Sequence, residues 1–260
     1  MELGLKGKIA LVTGSSRGIG RGVALALAGE GCDLMLTGRD GNALDEVAAL
    51  IRAQGRRAAI AVLDLRELAA AATLIEAVRR EFGALDILLN NAGTTKRGDF
   101  FALTDADWED GYALKFFAHV RLARAAWPLL KDRRGSLVAI GGTSGRKPHA
   151  SFTIGSSVNA AVAAFTKCLA DLGKADGVQV NCIHPSLVET ERQWRRIRAE
   201  VVRTGLPEQK VREEMCRETG ITRFGTVEDV ADLVTFIVSS RATWLHGATI
   251  DLDGGEVPVL

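Results

Sequence analysis

The stretch Thr13-Gly14-Ser15-Ser16-Arg17-Gly18-Ile19-Gly20 has the residue types and spacing of a phosphate cradle. Gly14 permits a tight strand-to-helix turn, Gly18 lets backbone approach a pyrophosphate, and Gly20 lets the following helix pack on the strand with its first N–H groups facing the anion. Ser16, Arg17 and Ile19 complete the loop, and the chemistry it suggests is dinucleotide binding. Groups able to move a proton are sparse and scattered. There is one tyrosine, Tyr112, and it lies one turn before Lys115 on a helical pattern, where an ordinary packed aromatic is the plainer role. Thr143, Ser144, His149 and Ser151 flank a loop at a strand end, and His149 has an unperturbed pKa suited to acid work, although a solvated loop histidine is the favoured reading. His184, before Pro185, reads as packed or water-bonded, and His119 and His246 belong to no constellation. Cys32, Cys168, Cys182 and Cys216 are widely spaced, so free buried thiols are expected, with neither a metal site nor a redox motif.

The elements that must hold these residues alternate along the chain. Apolar runs at 9–12, 34–37, 58–63 and 87–89 are separated by helical patterns from 19, over 41–54 and over 67–82. A long helix over 104–130 follows, then strand 137–140, helix 152–172, strand 178–183, helix 227–238 and strand 248–252. The strands are apolar throughout, as parallel strands covered on both faces are. The expected fold is α/β, a doubly wound Rossmann-type parallel sheet with helices on both faces, as a single domain over 1–260. Residues 189–222 differ: they are charged, hold Arg192, Arg195, Arg196, Arg198 and Arg203, and break at Gly205-Leu206-Pro207. They are expected to form a helical flap over the ligand crevice, its arginines either meeting an anionic substrate or forming a solvated face.

Composition narrows the partners. With 47% hydrophobic and 25% charged residues and a net charge of +1, the chain has no electrostatic footprint for nucleic acid or an anionic membrane. No uncharged apolar stretch approaches the roughly 18 residues of a membrane span, and the N-terminus carries no apolar signal segment. A cytoplasmic protein acting on a small molecule or thioester is expected.

At this point the residues resemble the short-chain dehydrogenase/reductase family over essentially the whole chain. The glycine loop is similar to the family's nucleotide loop, Asp64-Leu65 to its adenine contact, and Asn90-Asn91-Ala92-Gly93 to its sheet-stabilising turn. Pro185 to Thr190, with Val188 between, resembles the strand-end motif near the nicotinamide carboxamide. Glu228-Asp229-Val230-Ala231 and Asp253-Gly254-Gly255 resemble the C-terminal signature, with the nearest likeness to 3-oxoacyl carrier-protein reductases. The implied cofactor set is Gly14, Ser16, Arg17, Gly18, Ile19, Gly20, Arg39, Asp64, Leu65, Asn91, Ala92, Gly93, Pro185, Val188 and Thr190. Arg39 ends the second strand where a carboxylate would bond a free ribose 2′-hydroxyl, and with Arg17 it favours NADP(H) over NAD(H); Asp40 beside it blurs that preference. The resemblance also implies a homotetramer or homodimer, joined through the helix from Thr104 and the helix from Phe152, whose apolar face carries Ala160, Ala161, Ala164, Phe165 and Cys168.

The family's chemistry is where the likeness stops. It uses a tyrosine as general acid/base, a lysine four residues later, a serine thirteen residues earlier and an asparagine on the long helix. A phenol with pKa about 10 works near neutrality only beside a fixed cation. Aligning Val138-Ala139-Ile140-Gly141-Gly142 with the family's strand puts Gly142 at the serine, Gly155 at the tyrosine and Asn159 at the lysine. Gly145 keeps its place, Asn159-Ala160-Ala161-Val162 continues as the family helix does, and Lys115, seven residues after Trp108, takes the asparagine position. Lys115 and Asn159 read as a traded pair that keeps an ammonium and an amide below the nicotinamide, or else as drift after catalysis was lost. Lys115, Asn159 and Ser144 are the remaining candidates for catalysis. Three functions follow from these residues: an oxidoreductase working without the phenol, a nucleotide-binding pseudoenzyme serving as sensor or silent subunit, and cofactor-independent lyase or hydratase chemistry.

Overall fold

Strands buried on both faces need helices on both sides, and the protein is built that way. The computed structural model describes residues 2–258, so residues 1, 259 and 260 of the expected domain lie outside the described residues. Seven parallel strands form one sheet: β1 Ile9–Thr13, β2 Asp33–Gly38, β3 Ala58–Val62, β4 Ile87–Asn90, β5 Ser136–Ile140, β6 Gln179–Pro185 and β7 Thr249–Leu252. Their order, β3-β2-β1-β4-β5-β6-β7, reverses direction between β1 and β4, which opens a crevice beyond the carboxyl ends of those two strands. The glycine loop leaves β1 there. The sheet is the α/β arrangement that the sequence leads one to expect.

Successive side chains point to opposite faces, and the two halves of the core follow from that. Val12, Leu34 and Leu36 pack against α1 Gly18–Gly29, α2 Gly41–Ala53 and α9 Val227–Ile237. Leu11, Met35, Leu88 and Leu137 pack against α3 Ala70–Phe82 and α5 Ala118–Arg133. Asp86, buried ahead of β4, ties three segments together: it accepts from the Ile9 N–H at 3.0 Å and pairs with Lys8 at 3.2 Å and Arg133 at 3.1 Å. Helix α6, Thr153–Asp176, crosses the sheet beside β6, and α7 Glu191–Thr204 and α8 Glu208–Thr219 occupy the charged segment.

Two expected elements differ. The helix over 104–130 is α4 Asp105–Tyr112 and α5 joined by a π-turn, Ala113–Phe117, which inserts an extra residue and turns Lys115 toward the sheet. Helix α3 begins at Ala70, not at residue 67, because the Arg66 side chain folds back on Asp64 at 3.2 Å and Leu68 is left exposed. The thiols also depart from expectation: Cys32 and Cys182 are buried, but Cys168 is exposed.

Gly20 shows how tightly the crevice is built. A Cβ there would lie 2.3 Å from the Gly14 carbonyl oxygen and 2.6 Å from the Asn91 amide nitrogen. Gly20→Ala is therefore expected to cost about 1–3 kcal/mol of stability, read as a lower urea midpoint; an unchanged midpoint would contradict this packing.

Candidate active site

The glycine loop is held from beneath. Thr13 donates its hydroxyl to the Leu89 carbonyl at 3.1 Å and accepts from the N–H groups of Asn91 and Ala92 at 2.8 and 2.9 Å. The Asn91 amide donates to the carbonyls of Thr13 at 2.8 Å and Gly14 at 3.3 Å. Asn91 and Ala92 thus act as struts, and they leave Gly14 and Gly18 in the left-handed region at φ 65° and 56°, where side-chain-bearing residues are strained. Helix α1 opens with no side-chain cap and no acidic residue in its first turn, so its leading N–H groups face the crevice for an anion. Arg17, exposed at its N-cap, and half-buried Ser16 and Ile19 border the same opening.

Around the adenosine end, Arg39 is 60% exposed and its Nη1 lies 3.7 Å from Asp64, a loose surface pair that leaves the guanidinium able to reach a phosphate. Asp64 is held by the Arg66 backbone N–H at 3.0 Å, and Leu65 is buried behind it. Asp40 caps α2 by accepting from the Ala43 N–H at 3.1 Å. At the other end, Pro185 closes β6, Val188 bridges to Gly225, and Thr190 caps α7. The Thr190 methyl approaches Gly18, where an added Cβ would lie 3.4 Å from it. A bare helix start, a two-glycine turn and an exposed guanidinium are a fit for a phosphorylated dinucleotide.

Of the four positions at which the resemblance places chemistry, Lys115, Asn159 and Gly142 meet at the turn after β5, and Gly155 lies against Phe152. Lys115 donates from Nζ to the Gly141 carbonyl at 3.1 Å, and its aliphatic stem lies against Gly93, where a Cβ would be 2.9 Å from Cγ. Burial, reinforced by the Arg192 charge, lowers its ammonium to about 8. Asn159 reaches the turn from α6: its Nδ2 donates to Ser144 Oγ at 2.8 Å, and its Oδ1 is buried with no partner among the described residues. Lys115 and Asn159 therefore serve one turn from two helices without bonding to each other. A Cβ on Gly142 would meet Asn159 Nδ2 at 2.8 Å, so the amide fills the room a serine would take. At Gly155 a Cβ would lie 2.1 Å from Phe152 Cζ; the phenylalanine ring occupies the start of the path a tyrosine would follow.

The other candidates disperse. Tyr112 stacks on Trp108 at 6.5 Å between centroids and meets Phe116 edge-on at 6.2 Å, as a packed aromatic. His149 is exposed, as is Ser151. Burial brings His119 and His184 down to about 4, so both are neutral; His119 Nε2 lies 3.2 Å from the Ala92 carbonyl, and His184 packs under Gly141. His246 accepts from the Val180 N–H at 3.2 Å. Sequence reasoning passed over Glu256, a buried carboxylate that accepts from Thr143 at 3.3 Å and from Ser186. Its one signal was its place directly after Asp253-Gly254-Gly255. Phe152 and Arg97, whose guanidinium lies 3.7 Å above that ring, were also passed over. Among the described residues no group of side chains suits a metal ion, and no helix is long and apolar enough to cross a membrane.

Known proteins match this architecture along its full length. The short chain dehydrogenase family matches residues 8–200. The chain is 30% identical to 2,3-dihydro-2,3-dihydroxybenzoate dehydrogenase of Bacillus subtilis 168, covering 97% of each protein. It is 31% identical to 3-oxoacyl-(acyl-carrier-protein) reductase FabG of Escherichia coli K12, covering 97% of this chain and 98% of the relative. The crystal structure of L-sorbose reductase from Gluconobacter frateurii, complexed with NADPH and L-sorbose, superimposes with a TM-score of 0.96 at 32% identity over 100% of both chains. With its sheet order, its glycine cradle and these likenesses in agreement, the chain belongs to the short-chain dehydrogenase/reductase family.

Proposed function

We propose that the protein is an NADP(H)-dependent oxidoreductase that reduces a small carbonyl or oxidises the matching alcohol, with Lys115 standing in for the absent phenol. The carrying observation is Lys115: half-buried, its ammonium held on the Gly141 carbonyl at 3.1 Å and lowered to about 8 by burial and the Arg192 charge. Bound in the crevice, the nicotinamide supplies hydride to a carbonyl carbon. The chain's part is to bind, orient and protonate. Backbone N–H groups of the glycine loop and the start of α1 hold the pyrophosphate, and Arg39 and Arg17 hold the 2′-phosphate. Lys115 Nζ carries a proton that a developing alkoxide can take, and an acid with pKa near the working pH suits that task. Ser144 Oγ accepts from Asn159 and so keeps its own hydroxyl proton to donate toward the substrate oxygen.

Cofactor preference tests the binding half of this proposal. NADPH is expected to bind about 10- to 100-fold tighter than NADH, since a charge-assisted pair contributes roughly 1.5–3 kcal/mol, and Arg39→Ala should remove most of that margin. Calorimetric titration decides it. Equal affinities, or a preference untouched by Arg39→Ala, would overturn the assignment.

A second reading, a dinucleotide-binding protein without turnover, is favoured by one observation: the Phe152 ring fills the tyrosine's place above Gly155. NADPH that binds tightly yet is never consumed with any carbonyl would select it. Assembly as a homodimer or homotetramer belongs to the same proposal. The α6 positions Ala160, Ala164 and Cys168 form an exposed stripe along one helix face. Light scattering at micromolar concentration should give two or four subunits; a monomer would overturn it.

A further inference from the structure

The arginines of the charged segment fall into two sets. Arg198 pairs with Glu191 at 2.5 Å, Arg203 with Glu200, and Arg212 with Glu189. Arg192, Arg195 and Arg196 on α7 have no carboxylate within 4.0 Å among the described residues, and neither has Arg97 in the loop after β4. Two of the unpaired arginines, Arg192 and Arg97, touch residues of the crevice. Arg192 donates to the Gly93 carbonyl at 2.6 Å, over the residue against which the Lys115 stem lies. Arg97 lies flat on Phe152 at 3.7 Å, one ring removed from Gly155, and keeps its outer face exposed.

These cations feel each other. Burial and then the Arg196 charge push the Arg97 guanidinium down to about 10, just as burial and then Arg192 lower Lys115. Glu256 also lies near Arg97, its charge shared with Lys147 at 3.9 Å from Oε1, while Thr143 and Ser186 both donate to Oε2. On α7 only Arg198 and Arg203 are neutralised by the helix's own glutamates; Arg97, Arg192 and Arg196 carry positive charge without such a partner. Such a cluster lowers its energy by taking in an anion, and guanidinium forks match planar or tetrahedral oxyanions. Resting on the oxidoreductase reading above, we propose that the substrate carries an oxyanionic group, carboxylate or phosphate, beside its reacting carbonyl, and that Arg97 and Arg196 hold it. Arg192 sits between this clamp and the cofactor crevice. The Phe152 ring serves as the floor on which Arg97 is laid.

The test uses paired probes that differ only in charge, titrated calorimetrically into the full-length protein saturated with NADP+. They are acetoacetate against methyl acetoacetate, laevulinate against methyl laevulinate, and dihydroxyacetone phosphate against dihydroxyacetone. In at least one pair the anion is expected to bind about tenfold or more tightly, and which pair responds tells carboxylate from phosphate. Arg97→Gln and Arg196→Ala should each reduce that margin about fivefold or more while leaving NADP+ and the neutral probes unchanged. Discrimination that survives in the double variant, or is absent from all three pairs, would overturn the inference. NADP+ affinity is measured first in every variant. Normal NADP+ binding without discrimination defeats the clamp alone; failure of NADP+ binding defeats the cofactor reading, and the same pairs titrated into the free protein then decide the clamp by the same criterion.

Discussion

Lys115→Met should lower carbonyl reduction by about 10² to 10⁴, the usual cost of removing a positioned acid, with NADPH affinity preserved. The reasoning runs from burial to chemistry. An ammonium taken out of water and set beside Arg192 is easier to deprotonate, which places its pKa at about 8. Reduction needs the protonated form, so its rate should be level below pH 8 and fall above it; alcohol oxidation needs the free amine and should rise through the same pH. Stability carries the same signature. An unfolded lysine titrates near 10.5, so between about 8 and 10.5 the unfolded chain binds more protons than the folded one, and folding becomes more favourable as pH rises. Wild type should therefore gain urea resistance over that window relative to Lys115→Met, whatever the activity. Turnover retained in the methionine variant, or a wild-type profile flat through pH 8, would remove Lys115 from the mechanism. A flat stability difference would say that the ammonium is not lowered at all.

How much of this was legible beforehand depends on what kind of force set each feature. Gly14, Gly18 and Gly20 could be read because their roles are backbone roles, fixed by the absence of a Cβ, and the structure shows two at positive φ and one with no room for a side chain. The strands could be read because burial on both faces writes an unbroken apolar run. The resemblance's proposal of Gly142, Gly155, Asn159 and Lys115 as the chemical positions draws only on register along the chain. What occupies the space left by the missing side chains does not. Phe152 is three residues from Gly155, and that its ring turns back over it is a packing outcome with no periodic signal. The π-turn at Ala113–Phe117 had no distinct composition, yet it aims Lys115 at Gly141. Glu256 meets Thr143 across 113 residues, a contact that only the closed sheet creates. The cap role of Asp40, whose carboxylate accepts from the Ala43 N–H, was likewise not read from the sequence.

Gly155→Tyr is expected to produce no family-type activity, and neither is the quadruple change Gly155→Tyr, Asn159→Lys, Lys115→Asn, Gly142→Ser, until Phe152 is also cut back to alanine. The obstacle is volume before it is chemistry. A Cβ at residue 155 would sit 2.1 Å from Phe152 Cζ, so a phenol can enter only if that ring leaves its place beneath Arg97 at 3.7 Å, and forcing extra atoms into packed space costs about 1–3 kcal/mol. Chemistry adds the second requirement. A phenol alone, with pKa about 10, is a poor base at neutrality; the cation that lowers it must come from residue 159, and the amide now there must vacate the 2.8 Å approach to Gly142 before a serine fits. Because the five changes act as one unit, their combined gain should exceed the sum of the single effects. Initial rates of NADPH oxidation with acetoacetyl thioesters, for wild type, the single variant, the quadruple and the quintuple, measure this with NADPH affinity checked in each. A quadruple variant as fast as the quintuple would show that Phe152 swings aside freely, and the ring could then no longer be counted as what closes this site to the family's mechanism.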